Sequence, residues 1–167
     1  MECRECAVRP GSHSFQKIGV RGDAVVYYTS PARTCSLMDE SDEALANLKC
    51  HLDEAKGSKW DLILDCEFMR VRHQTSREYT EKIVAILTTE HAEWLQNVWI
   101  IHPNIWIRLF VKFMRPFYKD EVVSKMKLVD GKGEILDQKL IGRGLGGETL
   151  VELGKMFAID PVPSPIL

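Results

Sequence analysis

Asn97-Val98-Trp99-Ile100-Ile101-His102-Pro103-Asn104-Ile105-Trp106 carries the strongest fold signal in the chain. Val98 to Ile101 is an unbroken apolar run, the pattern of a strand buried on both faces. Pro103 ends it, because proline has no N–H to give a neighbouring strand and pushes His102 toward extended backbone. An apolar, aromatic-loaded helix then runs from about Ile105 to Phe117. Val122 to Val129, with Lys125-Met126-Lys127-Leu128-Val129 at its end, reads as a turn into a further strand. Strand, helix, strand predicts a parallel pair in a layered α/β domain.

Toward the N-terminus, Trp60-Asp61-Leu62-Ile63-Leu64-Asp65 is a second apolar strand, and Ala24-Val25-Val26-Tyr27-Tyr28-Thr29 is β-branched and aromatic, hence a third, ended by Pro31. Residues 1–22 are polar and broken by Pro10, Gly11, Gly19 and Gly22; they read as a poorly ordered lead-in with room for a short strand. Between the two strands, Ser41 is a helix N-cap, Leu45, Leu48, Leu52 and Ala55 recur at helical spacing, and Gly57 supplies the stop. Thr75-x-x-Glu78 has the form of a capping box. It opens a long helix to about Leu95, with Tyr79, Ile83, Ile86, Leu87 and Trp94 on one face. Toward the C-terminus, Glu134-Ile135-Leu136 reads as an edge piece and Glu148 to Phe157 as a last helix. Pro161, Pro163 and Pro165 keep residues 161–167 extended. The expectation is one α/β domain over residues 23–160, a mostly parallel sheet flanked by helices.

Composition narrows the function. The 167 residues can bury a real core, and 45% hydrophobic with 28% charged residues is ordinary for a globular domain. A net charge of −2 gives no global basic field, which argues against nucleic acid as a partner. No apolar run approaches the ~20 residues of a membrane span. Glu2, Arg4 and Glu5 interrupt any secretory leader at the start, and five scattered cysteines fit reduced thiols, so the expected location is cytoplasmic.

Several motifs carry chemistry elsewhere but not here. Cys3-x-x-Cys6 lacks the second ligand pair that a structural zinc needs, and no His pair stands at ligand spacing, so no metal is expected. Gly142-Arg143-Gly144-Leu145-Gly146-Gly147 matches a dinucleotide fingerprint, but too few residues follow it for a βαβ unit. It reads as a loop carrying one helix, and no cofactor is expected. Arg21-Gly22-Asp23 reads as a turn. Asp65-Cys66-Glu67 ends a strand, where α/β proteins place ligand sites, and with His73 nearby it could support hydrolysis. No nucleophile elbow surrounds Cys66, so a hydrolase is a distant reading and no catalytic residue is assigned.

The aromatic helix carries the sharper expectation. Ile105, Trp106, Leu109, Phe110, Phe113, Met114 and Phe117 cover well over half its circumference, and Arg108, Lys112 and Arg115 break the polar side. Such a helix either packs on the sheet as plain core or walls an apolar ligand cavity, with its bases meeting anionic headgroups or an acidic protein. In the second reading Trp106, Leu109, Phe110, Phe113 and Phe117 contact the ligand, with Trp106, Phe110 and Phe113 on the inward face. Arg108, Lys112 and Arg115 then contact a membrane or partner.

The order of segments resembles the CRAL-TRIO lipid-binding domain from about Gly22 to Val129. The specific pieces are Val98-Trp99-Ile100-Ile101-His102-Pro103-Asn104-Ile105-Trp106, and Arg115-Pro116-Phe117 followed by Ser124-Lys125-Met126-Lys127-Leu128-Val129. They are similar to the divergent branch found in Rho GTPase-activating proteins, BCH-type adaptors and neurofibromin. The resemblance implies helices enclosing an apolar cavity, with Asn104 to Phe117 as a gate helix, and non-enzymatic binding of a lipid or other apolar ligand with peripheral membrane contact. Its alternative implication is an adaptor that binds a small GTPase or other signalling protein.

Overall fold

In a computed structural model, described over residues 15–33, 40–70, 76–114 and 120–160, five strands form one sheet in the order β1-β2-β3-β4-β5. The strands are β1 (Gln16–Arg21), β2 (Ala24–Thr29), β3 (Trp60–Asp65), β4 (Leu95–Ile101) and β5 (Met126–Val129). β1 runs antiparallel to β2 across the Gly22-Asp23 turn, where Gly22 takes φ +60°. All later pairings are parallel. Arg21-Gly22-Asp23 is thus a hairpin turn, with the Arg21 side chain folded onto Asp61 and Asp23 paired with Lys59.

Sequence order equals spatial order, so each right-handed crossover returns its helix to the same face. The crossover helices are α1 (Asp42–Glu54), α2 (Arg77–Ala85, prolonged by a π-turn over Ile86–Glu90), α3 (Ile105–Met114) and the short α4 (Asp120–Lys125). Their apolar residues Leu48, Leu52, Ile83, Ile86 and Ile107 pack on Tyr27, Trp60, Leu62, Val98 and Ile100. The opposite face displays the alternate strand residues Val26, Tyr28, Ile63, Trp99, Ile101 and Val129, covered by α5 (Glu134–Ile141) and α6 (Gly147–Phe157) through Leu136, Leu140, Leu153 and Met156. The central strands are apolar on both sides because helices cover both.

Four boundaries differ from the sequence reading. Val122 to Lys125, expected as a turn entering a strand, belongs to α4, and β5 starts only at Met126. Ser76, not the Thr75-x-x-Glu78 box, caps α2: its Oγ accepts from Tyr79 N at 3.2 Å, and Thr75 lies outside the described residues. The helix stops at Glu90, and the chain turns at His91, so Leu95 begins β4 instead of ending a helix. Glu134-Ile135-Leu136 is the first turn of α5, not an edge piece. The aromatic helix is α3, ending at Met114; residues 115–119 and 161–167 lie outside the described residues.

Polar residues replace apolar ones at one corner of the second face. Asp61 is fully buried and accepts from two Arg21 guanidinium nitrogens, Nε at 2.7 Å and Nη2 at 3.2 Å, and from Asn97 Nδ2 at 2.7 Å. A bidentate guanidinium and an amide satisfy this buried carboxylate, as burial of a charge requires.

Candidate functional site

β3 and β4 deliver Asp65 and His102 side by side to the carboxyl edge of the sheet, the edge where open α/β folds place ligands. The segment after each strand leaves in the left-handed region, with Phe68 at φ +61° and His102 at φ +50°, so His102 does not take the extended backbone expected of a residue before proline. Residues without glycine's freedom hold such backbone only where their surroundings over-determine it. The two turns frame a cleft of about 520 Å³, with Phe68, Met69 and Pro103 as apolar walls and Arg70, Asn104 and Lys132 among its polar ones.

Asp65 organises the floor. It is fully buried, and its carboxylate accepts from Tyr28 Oη at 2.7 Å, Glu67 N at 2.9 Å and His102 Nδ1 at 2.9 Å, with Arg33 Nε at 3.4 Å. Burial alone would favour the neutral acid, but the bonds from His102, Glu67 N and Tyr28 outweigh it and hold the carboxyl below its ordinary range. Burial and the Asp65 charge push the Tyr28 hydroxyl up, so it stays a donor. Arg33, itself buried, also bonds Glu67 and the Ile159 carbonyl, tying the floor to the segment after α6. Its guanidinium lies 4.9 Å from the Phe68 ring centroid, at the lip of the cleft. Asn104 links the two framing segments: Nδ2 donates to Met69 O at 2.8 Å, and Oδ1 caps α3 by accepting from Ile107 N at 3.0 Å.

This geometry gives no support to hydrolysis at Asp65-Cys66-Glu67. Burial pushes the Cys66 thiol far up, so it is protonated and un-nucleophilic. His102 Nδ1 is directed to Asp65, Glu67 is engaged by Arg33 and Lys132, and His73 lies outside the described residues.

A family model for a divergent CRAL/TRIO domain matches residues 22–150. The chain belongs to this family. No curated protein matches it. The five-stranded, mostly parallel sheet with helices on both faces is the α/β fold of a CRAL-TRIO-like domain, and CRAL-TRIO domains generally bind lipophilic ligands.

The helix expected to serve as a gate is α3, and the exposure of its residues corrects one expectation. The side packed on the sheet carries Ile107, 6% exposed, and Val111. Trp106 and Phe113, expected to point inward, are 54% and 70% exposed and share the outer side with Ile105 and Leu109. Phe110 lies in α3, but its side chain is outside the described residues, as are Phe117 and Arg115. Arg108 is paired with Asp130, and Lys112 is exposed. Among the described side chains of this set none lines the cleft, although α3 begins at its wall through Pro103 and Asn104. Sequence reasoning missed Asn104 and Lys132, which line the cleft, and Arg33, which bonds the lining residue Glu67; the three come from separate loops. Only Asn104, at N-cap position before an apolar helix, left a local signal.

Proposed function

We propose that this protein binds a lipid or other apolar ligand without catalysis, and that α3 is the face through which the ligand or its membrane approaches. The outer stripe of α3 carries this reading. Ile105, Trp106, Leu109 and Phe113 are exposed together on a helix that starts at the cleft. A contiguous apolar patch on a globular domain marks a surface that meets something apolar. Amphipathic helices that carry bases beside such a stripe lie well at an anionic interface, and Lys112 is an exposed base here. Among the described residues no helix is long and apolar enough to cross a membrane, so contact would be peripheral. The same stripe would serve an adaptor that binds a small GTPase or other signalling protein.

Native mass spectrometry of the purified protein with lipid extraction, and co-sedimentation with anionic vesicles, separate these. Trp106→Ala and Phe113→Ala should reduce vesicle or ligand binding severalfold. Melting should change little, because both rings are already in water. Replacement of Lys112 should weaken vesicle binding in a salt-dependent way. Unchanged binding in all three variants would remove the lipid reading and leave the adaptor.

A further inference from the structure

The opposite edge of the sheet holds a side-chain cluster that lipid binding does not use. His91 follows the π-turn, and its backbone is fixed where the chain reaches β4. Its carbonyl accepts from the Trp60 indole N–H at 3.3 Å and from the amides of Trp94 and Leu95 at 3.1 and 3.2 Å. The side chain is 1% exposed, and among the described residues its Nε2 has no hydrogen-bond partner. That nitrogen lies 3.5 Å from Oδ1 of Asp53, on the last turn of α1. Glu90 completes a set whose ligand atoms all lie within 4.8 Å of one another. Asp53 and Glu90 face water. Lys49 bonds Glu90 and stands 4.0 Å from Asp53, and Lys56 is the other cation nearby.

A buried ring nitrogen without a partner calls for an explanation, since such atoms are uncommon in native structures. This one stands beside two carboxylates. We propose that His91, Asp53 and Glu90 bind a divalent transition metal of the zinc type, with water filling the remaining coordination and Lys49 as the counter-ion the metal displaces. One imidazole with two carboxylates is a zinc-type donor set, whereas Mg²⁺ and Ca²⁺ take oxygen ligands. Ligand atoms at ~2.0–2.2 Å from one ion stand no more than ~4.4 Å apart, so the set closes by rotation of two exposed carboxylate side chains while His91 stays in place. The charges also match, because two carboxylates balance the ion and release Lys49 to solvent. Asp65, Glu67 and His102 also lie close together, yet Arg33, Tyr28 and Lys132 already occupy their oxygens. At His91 the metal would fasten α1 to the turn before β4, far along the chain from one another, which is why no sequence spacing announced it.

Calorimetric titration of the full chain with Zn²⁺ and with Mg²⁺, beside melting curves in each, tests the site. One Zn²⁺ should bind at this site and raise the melting temperature, because a ligand of the folded state stabilises it. Mg²⁺ should do neither. Asp53→Asn and Glu90→Gln should each weaken Zn²⁺ by about tenfold or more, since even residues that merely support metal ligands matter on that scale. Both should leave metal-free melting nearly unchanged, because exposed pairs contribute little. Lys49→Met should tighten binding. His91→Ala should abolish it, and because that variant also opens a cavity, the two carboxylate variants are the deciding ones. Absence of Zn²⁺ binding, or binding that survives both carboxylate variants because cysteines hold the ion, overturns the proposal.

Discussion

His102 Nδ1 stands 2.9 Å from Asp65 Oδ1, so side chains join the ends of β3 and β4 just past their last backbone pairing. Tyr28, Arg33 and the Glu67 amide converge on the same carboxylate. Asp65→Ala leaves these donors, one of them a buried guanidinium, without their acceptor. The expected loss is about 3–5 kcal/mol, the scale for breaking a buried pair from one side. Tyr28→Phe removes one bond to a charged group and should lose about 1.5–3 kcal/mol. Urea midpoints should fall in that order with the slope unchanged. A midpoint for Asp65→Ala equal to wild type would show that the floor is not held this way.

Acid should act through the same residue. The folded-state carboxyls of Asp65 and Glu67 lie below their ordinary values. Between the folded and unfolded pKa values the unfolded chain therefore binds more protons, and stability rises with pH. Their contribution is complete above the unfolded carboxyl range near pH 4 and disappears as pH falls through the folded values. Stability curves from pH 6 to pH 2 should be flatter for Asp65→Asn than for wild type. Parallel curves would assign acid sensitivity to other groups.

Cys66 should be chemically silent in the folded protein. It is 1% exposed, and burial keeps its thiol protonated, whereas Cys50 is exposed. Peptide-resolved alkylation at neutral pH should label Cys50 rapidly and Cys66 only on unfolding. Cys66→Ser should retain whatever ligand the protein binds. Rapid labelling of Cys66 in native protein would revive nucleophilic chemistry at this strand end.

Gly19 brings β1 against α6. A methyl group there would meet Thr149 Oγ1 at 2.3 Å, the same hydroxyl that donates to Val20 O at 3.0 Å. Gly19→Ala should destabilise by about 1–3 kcal/mol, the usual range for overpacking. Thr149→Ala should recover part of that loss when combined with it. A double-mutant cycle checks the coupling; simple additivity would mean the contact is loose.

Much of this architecture is legible from short runs of sequence. β2, β3 and the apolar half of β4 announce themselves because central strands covered on both faces are mostly apolar, the buried Asp61 and Asp65 of β3 being exceptions. Gln96 and Asn97 escape that pattern because the first half of β4 is polar, and Asn97 serves the corner around Asp61. α5 is hidden when Glu134-Ile135-Leu136 is taken alone; the pair that docks it, Leu136 and Leu140, emerges only over the whole helix. The overlong helix expected before β4 has a similar cause. Trp94 continues the apolar period of Ile83, Ile86 and Leu87, but contacts at His91 reverse the chain first. The cleft is the least legible part. Its floor joins Tyr28, Arg33, Asp65 and His102, four positions on three strand ends that only parallel pairing assembles.

Because the strand order never reverses, all crossover helices accumulate on one face, and the other face waits for α5 and α6. A chain emerging from the ribosome thus completes β5 while Val26, Tyr28, Ile63, Trp99 and Ile101 still lie open on a finished sheet. At ~5–20 residues per second, synthesis of the two covering helices takes on the order of seconds. During that interval the nascent protein is a one-sided sheet, the form most in need of a chaperone. A premature stop after Val129 would make that state permanent.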